Sequence, residues 1–285
     1  MNRRNLILGS LALGLAACTP GTSEAAQPPF QPTRFSVQVR GTGPDVVLIP
    51  GLTAGRDVWA STVAAVPGYR YHLIQVGGFA GEPVRGNARA NAGGAIVAPI
   101  ADEIGRYIST RHLRPALVGH SMGGTLAMMV AARAPDHVGK VMVVDMLPQP
   151  AGLLGASASG LGPLAQSLRD IVATPGGRDL FASLVSSFGN NRGPDGRSDP
   201  DVVGRAMHDL AGIDLTGQLG RIRAPMTVVY AAPDARYRAQ ADQTYRTAYA
   251  ARRGAQLVRI DGSGHMIMFD QPRAFQAQLR TFLER

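Results

Sequence analysis

The feature that most constrains the fold is a short apolar run that ends at a serine between glycines, in residues 115–124 (PALVGHSMGG). A strand that turns at once into a helix leaves space only for hydrogen side chains beside the apex, which explains Gly119 and Gly123 on either side of Ser121. Such a turn exposes the serine hydroxyl above a sheet, at the positive end of a helix. Ser121 is therefore predicted to be a nucleophile.

The chain from residue 35 onward alternates between apolar runs typical of buried strands and helical patterns. Strands are predicted at 35–39, 45–49, 71–76, 115–118, 141–144, 226–230 and 256–260. Helices are predicted at about 56–66, 88–111, 122–134, 239–252 and 273–284. This order predicts an α/β fold, with a mostly parallel central sheet covered by helices on both faces.

The alternation stops between about residues 148 and 224. Helix-like segments at 161–172, 178–188 and 200–210 follow one another there, joined by links rich in Gly, Pro, Asn and Asp. We expect a helical cap over the carboxyl edge of the sheet, where ligands bind in open α/β sheets. Three apolar residues near the predicted strand ends are expected to line a site for an apolar acyl group: Met146, Leu147 and Met266.

A serine hydroxyl is a weak nucleophile, so Ser121 needs a base that is itself oriented by a carboxylate. His265 is the best-placed histidine because it lies in a glycine-rich turn after the last predicted strand. Asp234 follows the preceding strand and completes the chain order Ser, Asp, His, so we predict it to be the acid. Asp145, at the end of the strand after the serine turn, remains the alternative.

These motifs resemble those of the α/β-hydrolases over residues 35–285. The segment Gly264-His265, followed by Asp270-Gln271-Pro272, is similar to the ending of many esterases of that family. Residues 49–52 (IPGL) resemble the family's oxyanion loop, with proline where histidine is common. The resemblance implies an α/β-hydrolase fold with a cap, and an oxyanion hole formed by the backbone amides of Leu52 and Met122.

The N-terminus has the pattern of an export signal. Two arginines precede an apolar run at residues 6–17 that is too short for a stable transmembrane helix but suits a signal peptide, here residues 1–17. The run ends in a sequence, Leu15-Ala16-Ala17-Cys18, that resembles a bacterial lipobox and implies a lipid on Cys18. Residues 18–34 are predicted to be a flexible tether. Plain secretion remains an alternative, and the export route is open.

The composition excludes several other classes of partner. The formal net charge is +9, but the arginines are scattered without a dense or aromatic-interleaved block, so no nucleic-acid partner is expected. No G-x-G-x-x-G motif, His-x-x-x-His pair or cysteine cluster occurs, and the sequence holds one cysteine. We therefore expect neither a cofactor nor a metal.

The sequence thus predicts a serine hydrolase that cleaves carboxylic esters with an apolar acyl group through an acyl-enzyme, using Ser121, Asp234 and His265. The expected partners are a small-molecule ester and, through lipid on Cys18, a membrane. The expected location is the cell envelope or periplasm, anchored to the outer membrane. Other chemistry of the same fold remains open, namely C–C bond hydrolysis, thioester, amide or peptide cleavage and perhydrolysis, and so does a non-catalytic ligand-binding envelope lipoprotein.

Overall fold

The computed structural model describes residues 30–89, 94–154 and 197–285. One sheet runs through them, with the strands β1 (Phe35–Arg40), β2 (Asp45–Ile49), β3 (Arg70–Val76), β4 (Ala116–His120), β5 (Lys140–Val144), β6 (Met226–Ala232) and β7 (Gln256–Asp261). The spatial order is β1-β3-β2-β4-β5-β6-β7, and every pair is parallel except β1 with β3. All seven predicted strands are confirmed.

Helices cover both faces of the sheet. Those of the described residues are α1 (Ala60–Ala65), α2 (Val97–Ser109), α3 (Met122–Arg133), α4 (Pro200–Gly212), α5 (Arg238–Ala248), α6 (Ile267–Asp270) and α7 (Pro272–Glu284). The predictions near α3, α4, α5 and α7 are confirmed. The helix predicted at 56–66 consists of a 3-10 turn, Arg56–Trp59, and α1.

The sequence pattern predicted that helix α2 would begin at residue 88, but it begins at Val97. Gly94 has φ 94°, which no right-handed helix contains. Asp209 of α4 accepts hydrogen bonds from the amides of Ile96 and Val97 through Oδ2, at 2.7 and 2.9 Å. A carboxylate from α4 therefore satisfies amides that have no partner inside the helix, and this cap comes from too far along the chain for the local sequence to predict.

Alternate residues of the central strands feed two separate apolar layers. In β2, Val47 and Ile49 pack with α2 and α3, whereas Val46 and Leu48 pack with α1 and α7. The apolar stripe predicted for α7 is buried in the second layer, and consists of Phe275, Leu279, Phe282 and Leu283. Because both faces are covered, the strands are continuously apolar, as expected for a parallel sheet.

The chain enters the domain earlier than predicted, because residues 30–34 are held against α2 instead of belonging to a flexible tether. The amides of Thr33 and Arg34 donate to Glu103 Oε2 at 2.8 and 3.0 Å, and the Thr33 hydroxyl donates to Glu103 Oε1 at 2.7 Å. The Phe30 carbonyl accepts from Arg111 at 2.7 Å. Glu103 is buried, so these bonds compensate the loss of water around its carboxylate.

The predicted cap region is described only at its two ends. Helix α4 is fixed to the domain by Arg205, whose buried guanidinium donates to the carbonyls of Asn87 and Gly94 and pairs with Asp201. The cap segments predicted at 161–172 and 178–188 lie outside the described residues. So do the predicted signal peptide and Cys18. Across the described ranges, no helix combines the length and the apolar character that crossing a membrane requires.

The junction between β4 and α3 has the steric limit that the sequence predicted. A Cβ on Gly119 would lie 2.0 Å from the carbonyl oxygen of Gly123, and one on Gly123 would lie 2.2 Å from that of Ile49. A Cβ on Gly124 would lie 3.0 Å from Val143, so this glycine brings the helix close to the sheet. The obstacles at positions 119 and 123 are backbone atoms, which cannot rotate away.

Substituting Gly119 should therefore destabilise the protein strongly. We expect G119A to lower the free energy of unfolding by about 3 kcal/mol, because overpacking against backbone has no local relief. The matched variant is G105A, in the middle of α2, where a Cβ would have no neighbour within 4 Å. It should raise the free energy by about 0.5–1 kcal/mol. Urea unfolding measures both, and equal values for the two variants would contradict this account.

Candidate active site

Ser121 lies at the apex of the junction in a backbone conformation that few residues adopt. Its φ is 53° and its ψ is −125°, in the region that favours glycine. Its amide donates to the carbonyl of Val144, the last residue of β5, at 3.0 Å. Its carbonyl accepts from Gly124 at 2.7 Å, which starts α3. The predicted strand, turn and helix around the serine are therefore present.

His265 lies in the loop between β7 and α6, as predicted, and two hydrogen bonds hold this loop in place. The Gly264 amide donates to Asp270 Oδ2 at 2.8 Å. The His265 carbonyl accepts from His120 Nε2 at 2.9 Å, and the two imidazole ring centroids are 4.7 Å apart. Because His120 immediately precedes Ser121, this bond brings the histidine loop to the serine turn. The Ser121 hydroxyl has no hydrogen-bond partner among the described residues.

The ring of His120 is neutral and fully enclosed. Burial and, secondarily, the neighbouring His265 lower the pKa of His120 to about 3. A carbonyl only accepts hydrogen bonds, so the proton of His120 must be on Nε2, which leaves Nδ1 without a partner in the described part of the chain. His120 therefore places no positive charge beside His265.

The carboxylate that His265 contacts is Asp145 and not Asp234. His265 Nδ1 lies 2.8 Å from Asp145 Oδ2. The carboxylate of Asp234 accepts instead from the backbone and the guanidinium of Arg236, at 2.8 and 2.9 Å, where it caps a 3-10 turn. The prediction that Asp234 orients the histidine is wrong, and the alternative named with it has the expected contact.

Asp145 is held by the edge of the sheet itself. Its φ of 49° turns the main chain away just after the last regular pair of β5 with β6, Val144 with Val229. The Asp145 amide still donates to Val229, at 2.7 Å, but the next donor of β6, the Ala231 amide, bonds to Asp145 Oδ1 at 3.0 Å. The carboxylate therefore accepts the bond that the main-chain carbonyl of Asp145 would accept in a continuous ladder.

Asp145 is ionised although it is buried. Burial opposes its charge, but hydrogen bonds from His265, the Ala231 amide and the Tyr245 hydroxyl outweigh this and lower the pKa of Asp145. The Tyr245 hydroxyl lies 2.9 Å from Oδ1, so one oxygen accepts from Ala231 and Tyr245 while the other faces His265. A fixed carboxylate of this kind selects the imidazole tautomer with its proton on Nδ1.

Two backbone donors adjoin the serine, as the resemblance implied. Met122 is the first residue of α3, and a Cβ on Gly51, the residue before Leu52, would lie 3.0 Å from Ser121 Cβ. Neither the Leu52 amide nor the Met122 amide has an acceptor among the residues that the structure describes. Their role as an oxyanion hole stays a prediction.

The three predicted substrate-lining residues directly follow Asp145 and His265 in the chain, and all three are buried. Met146 and Leu147 belong to the apolar layer that contains α3, and Met266 belongs to the opposite layer. Packing explains these positions without a substrate, so their role in binding stays a prediction. Within residues 30–89, 94–154 and 197–285, no group of three or more potential metal ligands converges.

Comparisons with known proteins find relatives that are named as esterases. A pimeloyl-[acyl-carrier protein] methyl ester esterase of Aromatoleum aromaticum is 25% identical over 248 residues, which cover 80% of this chain and 94% of that protein. Esterase Rv0045c of Mycobacterium tuberculosis is 30% identical over 193 residues, or 61% of this chain and 63% of the esterase.

Solved structures share the fold at low identity. The enol-lactonase of Burkholderia xenovorans LB400 superposes with a TM-score of 0.69 and 18% identity, over 88% of this chain and 96% of the enol-lactonase. The sequence model described as "Alpha/beta hydrolase family" matches residues 46–278, which include the serine turn, Asp145 and His265. The chain belongs to the alpha/beta hydrolase family.

Proposed function

We propose that this protein hydrolyses carboxylic esters through an acyl-enzyme, with Ser121 as nucleophile, His265 as base and Asp145 as the orienting acid. The observation that carries the proposal is the 2.8 Å contact between His265 Nδ1 and Asp145 Oδ2, at the sheet edge where the serine turn lies. The printed names of the relatives, a methyl ester esterase and an esterase, support ester cleavage.

The proposed reaction has two halves with the same proton movements. Ser121 Oγ attacks the ester carbonyl carbon while its proton passes to His265 Nε2. The tetrahedral intermediate collapses, the C–O bond to the alcohol breaks, and His265 returns the proton to the leaving alkoxide. Water then attacks the acyl-enzyme with the same base, and the acid leaves as the proton returns to Ser121.

Each group in this scheme has a separate physical task. Asp145 keeps the His265 proton on Nδ1, so that Nε2 is free to accept from the serine, and stabilises the imidazolium that forms. The amides of Leu52 and Met122 would donate to the oxygen that becomes negative in the intermediate. Removing one donor of this kind in a well-studied protease costs about 3–4 kcal/mol.

The proposed substrate is an ester with an apolar acyl group. Met146, Leu147 and Met266 lie next to the reacting residues, and the sequence predicts further apolar residues in the cap region. A cap over about residues 148–224 is part of this proposal. The fold also serves thioester, amide and C–C bond hydrolysis and perhydrolysis, so a substrate panel has to include these bonds.

We also propose that the protein is exported and anchored by lipid on Cys18, with residues 1–17 removed. The sequence pattern at the N-terminus supports this location. The mature N-terminal peptide should have the mass of a lipid-modified cysteine at position 18, and C18S should abolish that modification. An unmodified N-terminal peptide cut elsewhere would indicate plain secretion.

A fluorophosphonate should label the wild-type protein at Ser121, because only an activated serine reacts at a useful rate. S121A should remain unlabelled and lose at least about 10⁴-fold in kcat toward a p-nitrophenyl ester. The matched control is S61A, at an exposed position of α1, which should keep both labelling and turnover.

The same assay identifies the alternatives. A series of p-nitrophenyl esters of increasing chain length, with a thioester and an anilide, reports the preferred bond and acyl group. Turnover that is equal in wild type and S121A would reject the proposed nucleophile. Absence of labelling and of all turnover would indicate a non-catalytic binding protein.

The identity of the acid is testable with two isosteric substitutions. D145N should lower kcat/KM by about 10³–10⁴-fold, because the amide nitrogen can donate to Nδ1 and favours the wrong imidazole tautomer. D234N removes a charge that faces Arg236 at the exposed surface and should stay within about twofold of wild type. Steady-state kinetics at several pH values measure both, with circular dichroism as the folding control. A larger loss for D234N would contradict the assignment.

A further inference from the structure

Tyr245 carries a buried hydroxyl group beside the proposed site. The reaction scheme does not use this hydroxyl. It lies in α5, the helix that follows β6, and only 4% of its surface is exposed. Its hydroxyl reaches across to the end of β5 and donates to Asp145 Oδ1 at 2.9 Å. A carboxylate accepts and does not donate, so the direction of this bond is fixed.

The contact matters because of how the donors around Asp145 are divided. Oδ2 accepts from His265, whereas Oδ1 accepts from the Ala231 amide and the Tyr245 hydroxyl. The Ala231 donor belongs to the backbone of β6 and is present for any side chain there. Tyr245 supplies the side-chain hydroxyl, so its removal alters the carboxylate without altering the sheet.

Two other tyrosines pack against the ring of Tyr245, but their hydroxyls do not bond to Asp145. The ring stacks on Tyr230 with centroids 4.3 Å apart, and lies parallel to Tyr249 at 6.3 Å. The Tyr230 hydroxyl donates to Asp242 at 2.7 Å, and the Tyr249 hydroxyl donates to the Met146 carbonyl at 2.6 Å. Only the middle hydroxyl of the three reaches the carboxylate, and the chain thus contains its own matched controls.

The charged and titratable groups around the contact keep the hydroxyl protonated. His265 faces Asp145 from the loop after β7, and His120 faces it from β4 and is neutral. Burial, the charge of Asp145 and the neighbouring Tyr249 and Tyr230 raise the pKa of Tyr245 well above 10. Further out, Asp242 and Arg259 pair with each other at the hydroxyl of Tyr230.

We propose that Tyr245 is a positioning residue of the Ser121–His265–Asp145 site, which fixes the rotamer of Asp145 and takes up part of the carboxylate's charge through Oδ1. This inference rests on the proposed function. Without the hydroxyl, the carboxylate can turn away from His265, which lowers the rate.

The test compares Y245F with Y249F and Y230F, each of which loses one hydroxyl and keeps its ring. For Y245F we expect kcat to fall about tenfold with KM nearly unchanged, as for loss of a hydrogen bond to a charged group. The two control variants should stay within about twofold of wild type in both kcat and KM.

A second measurement does not depend on activity. The NMR signal of the proton on His265 Nδ1, assigned with H265Q, should move in Y245F and keep its wild-type position in Y249F and Y230F, because only the Tyr245 hydroxyl bonds to the carboxylate that faces this proton. An unchanged rate and an unchanged signal in Y245F would overturn the proposal. Equal changes in Y245F and Y249F would also overturn it, because they would indicate loss of packing. If Ser121 is not labelled and no ester is cleaved, the proposed function fails, and the NMR signal of the His265 proton still decides the role of Tyr245.

Discussion

The proposed site depends on one buried charge, the carboxylate of Asp145. Removing a carboxylate from water is costly unless donors replace the lost hydration. Here the donors come from three places: the backbone of β6, the Tyr245 hydroxyl of α5 and the His265 ring after β7. Strand β6, helix α5 and the loop after β7 therefore all contact a single side chain. The same bonds that compensate its burial also orient the imidazole.

Two strained residues adjoin one another at the ends of β4 and β5. Ser121 and Asp145 both have positive φ, and conformations of this kind cost of order 1–3 kcal/mol each. The bond from the Ser121 amide to the carbonyl of Val144 joins the two turns directly. Glycines around Ser121 and hydrogen bonds around Asp145 enforce the two conformations. The strain of this pair thus lies where the chain leaves two neighbouring strands at one edge of the sheet.

The strands and most of the helices could be predicted from the sequence because each has its own pattern of apolar residues. The turns that hold Ser121 and His265 could also be predicted, since glycines mark both. The carboxylate that contacts His265 could not, because Asp145 and Asp234 both lie between Ser121 and His265, so chain order favours neither. The deciding information is the sheet order, in which β5, the strand before Asp145, lies next to β4, the strand before Ser121. The position of Asp145 directly after β5 was the available signal for it.

Contacts between distant segments could not be predicted in the same way. In the sequence, Tyr245 is one of several tyrosines in and around a polar helix. Only packing against β5 brings it to the carboxylate. The start of α2 was predicted too early for a similar reason. Its cap is Asp209, which lies more than a hundred positions further along the chain. Local patterns predict elements, whereas a donor or cap supplied by another element has no local signature.

The attachment of α4 has a consequence for how the specificity of such an enzyme can be altered. Arg205 and Asp209 fix this helix to α2 and to the loops before it, while Ser198 bonds to the Thr53 carbonyl and the Ala80 amide. At the other border, the Pro148 carbonyl accepts a hydrogen bond from the Leu215 amide, and Ala151 is buried. Anchored backbone therefore lies close to both ends of the stretch between residues 154 and 197, and these two borders are natural junctions for grafting a foreign segment onto the domain.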